Sequence, residues 1–427
     1  MNFKIYDDEY PSEDATPKKR STSVDYWKKA ISYFMPNSYA WVEVAGAPGH
    51  GNPTKSKIVQ KILTDLQKKE VMGIGKETSQ RRPFLFSEYE KVLELFRKAK
   101  DITIKHRNPL VMLYQWHFIT RPDDCFNFLI SDPRSHPHWD FVLRQQVRWS
   151  KNIKDTRNCP DQIIFGSMNP LWCIVVSIAL WLEIFLGKFP DAVMLFSEKT
   201  PPPKRNKQLH NKFVKSLIHT YRTQLIHYAL SAESFKSIYK GDDKRPVGAY
   251  SCRKAASSYA KRCGMPGSKI DHRGRWMPSG KKAGNRVVSG VYIDPEEEAN
   301  DADVACTLCI GGPIKYKLDP SLESEITTDW LIANVVPNIG RRYSNDPTFV
   351  RILGTALLCV CMDDDHFGLD VPAAIVARAE AAYGDIQTEN KPGQPVLRVP
   401  IFCYQFQDTL VIQESIPTRN DTNQTQQ

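Results

Sequence analysis

The chain has 427 residues, and its 58 Lys and Arg against 48 Asp and Glu give a formal net charge of +10. This length predicts two or three domains rather than one hydrophobic core, so no disulfide framework is needed for stability. The basic excess favours a polyanionic partner without identifying it. The sequence holds no glycine-rich phosphate loop and no His-Glu-x-x-His motif, which argues against nucleotide hydrolysis and metalloprotease chemistry.

The first 22 residues are polar and acidic and end in a small basic cluster, PKKRST. This composition predicts a disordered leader of residues 1–22. The leader lacks the charged and then apolar pattern of a signal peptide, and the ten cysteines are scattered, so an intracellular, reducing location is expected. The basic cluster favours a nuclear location, although a solvated tail explains it equally well.

Residues 23–100 show apolar residues at helical spacing, which predicts a small helical domain. The clearest helical segments are 58–71 and 87–100. Ser87 and Glu90 have the spacing of a capping box, so the second of these helices is predicted to begin there.

Residues 101–300 predict a helical body that carries a small sheet. The predicted helices lie at 108–121, 208–230 and 251–264, and the predicted strands lie at 141–149 and 161–165. The apolar run at 171–186 contains Glu183 and is short for a membrane span, so we expect a buried helix and no membrane partner.

Residues 301–416 form a predicted C-terminal extension, followed by a disordered tail at 417–427. The extension has helical spacing at 326–337 and 347–362 and a strand pattern at 395–406. The fold class predicted for the whole chain is therefore mainly α with a small antiparallel β-sheet.

A lone Cys-x-x-Cys pair raises the question of a metal site. Cys306 and Cys309 form the pair, and Cys359, Cys361 and His366 are the nearest residues able to complete a zinc site. Their spacing matches no standard set of zinc ligands. Structural cysteines are therefore favoured, and no metal is predicted.

The distribution of basic residues fits phosphodiester chemistry. Breaking a DNA phosphodiester through a protein nucleophile needs a hydroxyl, fixed cations around the non-bridging oxygens, and an acid for the leaving 5′ oxygen. Arginine suits the second role because its planar fork binds phosphate through two hydrogen bonds and stays charged. Basic residues concentrate at 143–157, 203–222 and 244–286, where a phosphate backbone is expected to lie.

Residues 250–276, YSCRKAASSYAKRCGMPGSKIDHRGRW, are followed 16 residues later by Tyr292 in SGVYI. This order resembles boxes II and III of tyrosine recombinases, and is most similar to Crypton-like mobile-element recombinases of algae and protists. The resemblance implies that Tyr292 is the nucleophile, that Arg253 is the second arginine of a phosphate clamp, and that Trp276 donates its indole N–H to the phosphate. Tyr250 stands where the family usually has a catalytic His.

Two further segments resemble the family. WHFITRPDDCFNFLISD at 116–132 is similar to box I and makes Arg121 the first clamp arginine. VRWSKNIKDTRNCPDQIIF at 147–165 resembles the family's β-hairpin, whose lysine is the general acid. That role would fall to Lys151, with Lys154 as the substitute.

The resemblance extends to the N-terminal domain. Residues 51–84 are similar to the core-binding segment that precedes such catalytic domains, so 23–100 is predicted to be a helical DNA-binding domain and 101–300 the tyrosine recombinase catalytic domain. The residues predicted to bind DNA are Lys55, Lys57, Arg81, Arg82, Lys154 and Lys254.

The function implied by the resemblance is site-specific recombination of double-stranded DNA through a 3′-phosphotyrosyl intermediate, by homo-oligomers assembled on DNA. The covalent bond conserves the phosphodiester energy, so neither a metal nor another cofactor is expected. An inactive or domesticated DNA-binding protein is the main alternative, favoured by Tyr250 and by the insert GKKAGNR at 280–286. A type IB topoisomerase shares the chemistry, but the N-terminal resemblance argues against it.

Overall fold

The chain divides into two compact units, Met1–Gln80 and Arg81–Gln427. The structure, a computed structural model, describes residues 5, 15–35, 39–44, 47–76, 80–147, 161–203, 205–243, 245–276, 298–386, 394–406 and 409–414. The division precedes the segment 87–100, so the second helix predicted for the N-terminal domain lies in the second unit. The roles assigned to the predicted domains remain predictions.

The first unit contains two helices and a hairpin around a small core. Its elements are α1 (Ser21–Phe34), β1 (Val42–Val44), β2 (Ala47–His50), a 3-10 turn (Pro53–Lys55) and α2 (Lys57–Val71). The predicted helix 58–71 is confirmed, and the Ser56 hydroxyl caps it by accepting the Val59 N–H at 3.3 Å. Val24, Leu63 and Leu66 form the buried apolar cluster.

The second unit is mainly helical. Its helices are α3 (Phe86–Arg97), α4 (Ile102–His117), α5 (Pro122–Cys125), α6 (Ile174–Lys188), α7 (Lys207–Leu225), α8 (Glu233–Lys236), α9 (Ser251–Arg262), α10 (Gly267–Gly274), α11 (Glu298–Thr307), α12 (Thr328–Asn334), α13 (Pro337–Arg342), α14 (Pro347–Cys361) and α15 (Ala373–Ile386). One π-helical turn, Ile226–Leu230, continues α7. The predicted helices at 208–230, 251–264 and 347–362 are confirmed within a few residues.

Two small antiparallel sheets complete the second unit. One has the strand order β3 (Pro133–Ser135), β4 (Leu143–Gln145) and β5 (Gln162–Ile164). The other has the order β6 (Gly166–Ser167), β7 (Pro313–Leu318), β8 (Val396–Phe406) and β9 (Thr409–Glu414). The predicted fold class, mainly α with small antiparallel β-structure, is confirmed.

Helix α6 lies at the centre of the core, packed against α4, α13 and α14. The buried helix predicted at 171–186 is confirmed, and within the described residues no helix is long and apolar enough to cross a membrane. Glu183, the one acidic residue of α6, accepts the backbone N–H groups of Asn338 and Ile339 at 3.1 and 3.2 Å. Its carboxylate therefore caps the start of α13, a favourable place for negative charge.

The predicted capping box was wrong. Helix α3 begins at Phe86, so Ser87 lies inside its first turn. Glu88, rather than Glu90, reaches back, and its Oε2 accepts the Leu85 N–H at 2.9 Å.

The cysteines in the described part of the chain are free thiols. Cys309 is buried, and its thiol lies 3.3 Å from the Ala305 carbonyl. Over the same residues no group of His, Cys, Asp and Glu has the arrangement of a metal site.

Candidate anion-binding site

The first predicted clamp arginine, Arg121, precedes the short helix α5. Its backbone is extended, and Pro122 occupies the first helical position, where a missing N–H costs nothing. The Arg121 N–H donates to Asp124 Oδ2 at 3.0 Å. The sequence Arg-Pro-Asp-Asp therefore fixes Arg121 and Asp124 relative to each other through one tight turn.

The second predicted clamp arginine, Arg253, lies in the first turn of α9. Ala255, Ala256 and Ala260 are buried on this helix, and such small side chains allow close packing against α4. Arg253 is 6% exposed, and its Nη2 donates to the Gly274 carbonyl at 2.7 Å. Its guanidinium is thereby tied to the end of α10.

Asp124 brings the two predicted arginines together. Its side chain is fully buried, and Oδ2 lies 3.7 Å from Arg253 Nη1 and 3.8 Å from Arg275 Nη2. The same oxygen accepts the Arg121 N–H. We call Arg121, Arg253, Arg275 and Asp124 the arginine cluster; it contains three guanidinium groups and one carboxylate.

The electrostatics of the arginine cluster favour an anionic ligand. Burial is the largest effect on Arg253, followed by the positive charge of Arg121, and together they lower the pKa of Arg253 to about 9 although Asp124 opposes them. Nη1 of Arg121 and Nη1 of Arg253 are buried, and among the described residues neither has a hydrogen-bond partner. Buried cationic donors of this kind are costly unless an anion satisfies them.

Tyr250 connects the arginine cluster to α7. Its hydroxyl lies 3.2 Å from Asp123 Oδ2 and accepts from Arg222 Nη2 at 3.3 Å. The Arg222 guanidinium lies 5.3 Å from the centre of the Tyr250 ring. Burial and then the negative charge of Asp123 raise the pKa of Tyr250, so the group at this position is a neutral hydrogen-bonding hydroxyl.

Trp276 lies against Arg253. The Arg253 guanidinium carbon is 4.8 Å from the centre of the Trp276 ring, a cation–π distance. The Trp276 backbone N–H donates to the Asp271 carbonyl at 2.8 Å and closes the end of α10. Trp276 therefore lies beside the arginine cluster, with its ring face against the Arg253 guanidinium.

Helix α10 is held by a separate, fully buried arginine. Arg273 Nε donates to the His117 carbonyl at 2.7 Å, and Nη2 donates to the Ile163 carbonyl at 3.0 Å. Its Nη1 pairs with Asp301. Arg273 therefore anchors α10 to α4, β5 and α11, and this anchoring positions Arg275 and Trp276.

Sequence reasoning assigned no role in the site to Arg275 or Asp124. Asp124 does accept the Arg121 N–H, but it also pairs with two arginines. The available signal was the spacing of three residues from Arg121 to Asp124, which places both in one helical turn. No sequence pattern singled out Arg275 from the basic run around it.

Five other predicted site residues are not among the residues of the arginine cluster. Tyr292, Lys151 and Lys154 lie outside the described residues. Lys55 and Lys57 are exposed in the first unit. These five assignments remain predictions.

Residues 81, 82 and 254 lie together in the second unit. Arg81 is exposed, and its carbonyl accepts a hydrogen bond from Lys254 Nζ. Arg82 is buried and forms two hydrogen bonds with Glu88, at 2.6 and 2.7 Å, while its guanidinium packs 3.8 Å from the centre of the Tyr239 ring. Arg81 is thus accessible to a ligand, whereas the fork of Arg82 is already occupied by a carboxylate.

Comparisons with known proteins place the chain in no family. No protein-family model matches it, and no curated protein matches its sequence. Eleven solved chains match its structure. One is in the FLP Recombinase-Holliday Junction Complex I, at 12% sequence identity and a TM-score of 0.35 over 80% of each chain.

Proposed function

We propose that the arginine cluster binds a DNA phosphodiester and that the protein breaks and rejoins DNA strands. One observation carries the proposal: Arg121 and Arg253, far apart in sequence, are brought to one buried carboxylate with an excess of positive charge. A phosphodiester has one negative charge spread over two non-bridging oxygens, which suits paired guanidinium groups.

In the proposed reaction the Tyr292 oxygen attacks phosphorus. The new oxygen–phosphorus bond forms as the bond to the 5′ oxygen breaks, giving a 3′-phosphotyrosyl linkage and a free 5′ hydroxyl. The phenol releases its proton to solvent water, and Lys151 supplies the proton that the 5′ oxygen takes up. The cluster stabilises the negative charge that accumulates on the non-bridging oxygens.

An exposed basic stripe on α7 supports double-stranded DNA as the partner. Lys212, Lys215, His219 and Arg222 are exposed and recur every three or four residues, so they share one face of the helix. Arg222 contacts Tyr250, which in turn contacts Asp123 beside the cluster. A DNA backbone that lies along this α7 stripe would extend to the arginine cluster. Recombination would require several copies of the protein on the DNA.

The second candidate is a DNA-binding protein without strand-breaking activity. Tyr250 favours it, because its hydroxyl is engaged by Asp123 and Arg222 and has a raised pKa. A group of this kind cannot exchange protons near neutral pH as an imidazole does.

The two candidates are separated by incubating the protein with nicked duplex DNA that traps a covalent intermediate. For the enzyme we expect a protein–DNA adduct that is lost in Tyr292→Phe and retained in Tyr259→Phe. Tyr259 is the matched control because its ring packs 5.3 Å from that of Trp116, and Phe preserves this contact. Salt-sensitive DNA binding without any adduct would favour the second candidate.

A further inference from the structure

Arg275 has an unusual backbone conformation. It follows α10 with φ 54° and ψ 45°, in the left-handed region. This position after a helix normally holds Gly or Asn, because a side chain is disfavoured there. The residue immediately before it is Gly274, yet the left-handed conformation falls on the arginine.

The Arg275 side chain is also buried. It is 7% exposed, and Nη2 lies 3.8 Å from Asp124 Oδ2, the oxygen that Arg253 approaches at 3.7 Å. The positive charge of Arg275 contributes to lowering the pKa of Arg253. One residue therefore combines a disfavoured backbone with a buried charge close to the like charge of Arg253, and such combinations concentrate at functional sites.

We propose that Arg275 is a third phosphate-binding arginine and that Trp276 is a positioning residue, whose ring face holds Arg253. The inference deepens the proposed function and rests on it. It gives the ring face of Trp276 a role of its own, because that face lies on the Arg253 guanidinium. Donation by the indole N–H to the phosphate stays a prediction.

The charge of the cluster supports this assignment. Three guanidinium groups and one carboxylate leave two positive charges among the four side chains. Attack by an ionised tyrosine on a phosphodiester places two negative charges on the transition state, and fixed groups of matching charge stabilise that state more than the singly charged ground state. Without Arg275, the positive charges of Arg121 and Arg253 and the negative charge of Asp124 would leave one positive charge, and one of the two negative charges on the transition state would be unmatched.

The main test is Arg275→Gly, assayed for the covalent adduct with nicked duplex DNA. Glycine accepts the left-handed conformation, so we expect the thermal midpoint to stay the same or rise. The rate of adduct formation should fall about 100-fold or more, as when one oxyanion donor is removed. Arg341→Ala removes one exposed arginine on α13 and is the matched control, with an unchanged rate.

Trp276 is tested by rescue. Trp276→Leu removes the ring and should slow adduct formation, whereas Trp276→Phe keeps a ring face without an N–H and should restore most of the rate. Failure of Phe to restore the rate, or an unchanged rate in Arg275→Gly, would overturn the assignment.

A binding measurement separates this inference from the proposed function. The affinity for an intact duplex is measured against salt concentration, and Arg275→Gly should reduce the salt slope by about one phosphate contact. If the wild-type protein forms no adduct, the proposal of strand breaking is rejected. The salt slope of Arg275→Gly then still tests whether Arg275 binds phosphate. An unchanged slope would then reject Arg275 as a phosphate-binding residue.

Discussion

Two buried arginine sites in the second unit differ in how their charges are balanced. At one, Arg82 and Glu88 pair one to one, through two hydrogen bonds of 2.6 and 2.7 Å. At the other, the carboxylate of Asp124 lies 3.7 and 3.8 Å from two guanidinium groups, with Arg121 also close enough to affect Arg253. At the first site one carboxylate takes both terminal nitrogens of Arg82, whereas at the second Nη1 of Arg121 and Nη1 of Arg253 have no hydrogen-bond partner among the described residues.

We expect this difference to separate structural from ligand-binding arginines better than burial does. Arg82 and Arg253 are almost equally buried, and both were predicted to contact phosphate. A buried ion pair is sensitive to the loss of either partner because the remaining charge is uncompensated. In a cluster with excess positive charge, removing one arginine is expected to change the free energy of unfolding little and to weaken the binding of an anionic ligand.

The largest expected effect on stability is at the Arg82–Glu88 pair. Glu88→Gln leaves the Arg82 charge buried and should lower the free energy of unfolding by about 3 kcal/mol, measured by urea denaturation. The double variant Arg82→Met with Glu88→Leu removes both charges and should recover most of this loss. Equal losses in the single and double variants would show that the pair is not the source.

The largest expected effect on function is at Arg253. Arg253→Met retains apolar volume while removing a cation from a positively charged cluster, so we expect the free energy of unfolding to change by less than about 1 kcal/mol. Adduct formation should slow by about 100-fold to 1,000-fold, since a donor to the developing charge is lost. A large destabilisation with unchanged adduct formation would assign Arg253 to the structural class with Arg82.

The resemblance to boxes I and II assigned Arg121 and Arg253 to one site, and the structure brings both residues to Asp124. Arg275 was not predictable in this way. The direction of the Arg275 side chain depends on where α10 ends and on the left-handed conformation that follows. Neither feature can be recognised from the periodicity of a helix of only eight residues.

The helix boundaries show the same limit of local patterns. The helical period placed α2 and α14 within a few residues, since long apolar stripes dominate there. The start of α3 was misplaced because Ser87 and Glu90 have the spacing of a capping box. The actual contact depends on Glu88, which also pairs with Arg82, a tertiary interaction that the local spacing does not contain.

Two buried histidines differ from the buried arginines because they remain uncharged. Burial lowers the pKa of His106 to about 4 and of His117 to about 3. The unfolded chain takes up these protons near pH 6.5, so stability is fully present above that pH and declines as the pH falls toward the folded values. We expect a loss of about 3 kcal/mol per histidine by pH 4, measured by urea denaturation.

The matched variants for this pH effect are His117→Gln and His227→Gln. His117→Gln removes one buried titrating group and should flatten the decline in stability between pH 6.5 and 4. His227 is exposed, so His227→Gln should leave the decline unchanged. The same pH dependence in both variants would show that His117 does not contribute.

The smallest expected effect concerns the α7 stripe, which separates backbone contact from chemistry. Lys212→Gln with Lys215→Gln removes two exposed charges without altering the arginine cluster, so duplex affinity should fall about 10-fold and the salt slope by about two contacts. At saturating DNA the rate of adduct formation should be unchanged, because the arginine cluster, and not the stripe, is proposed to stabilise the transition state. Lys188→Gln with Lys240→Gln removes two exposed lysines outside α7 and should alter neither quantity. If both pairs weaken binding equally, the effect is one of net charge, and the stripe provides no specific path for the DNA backbone.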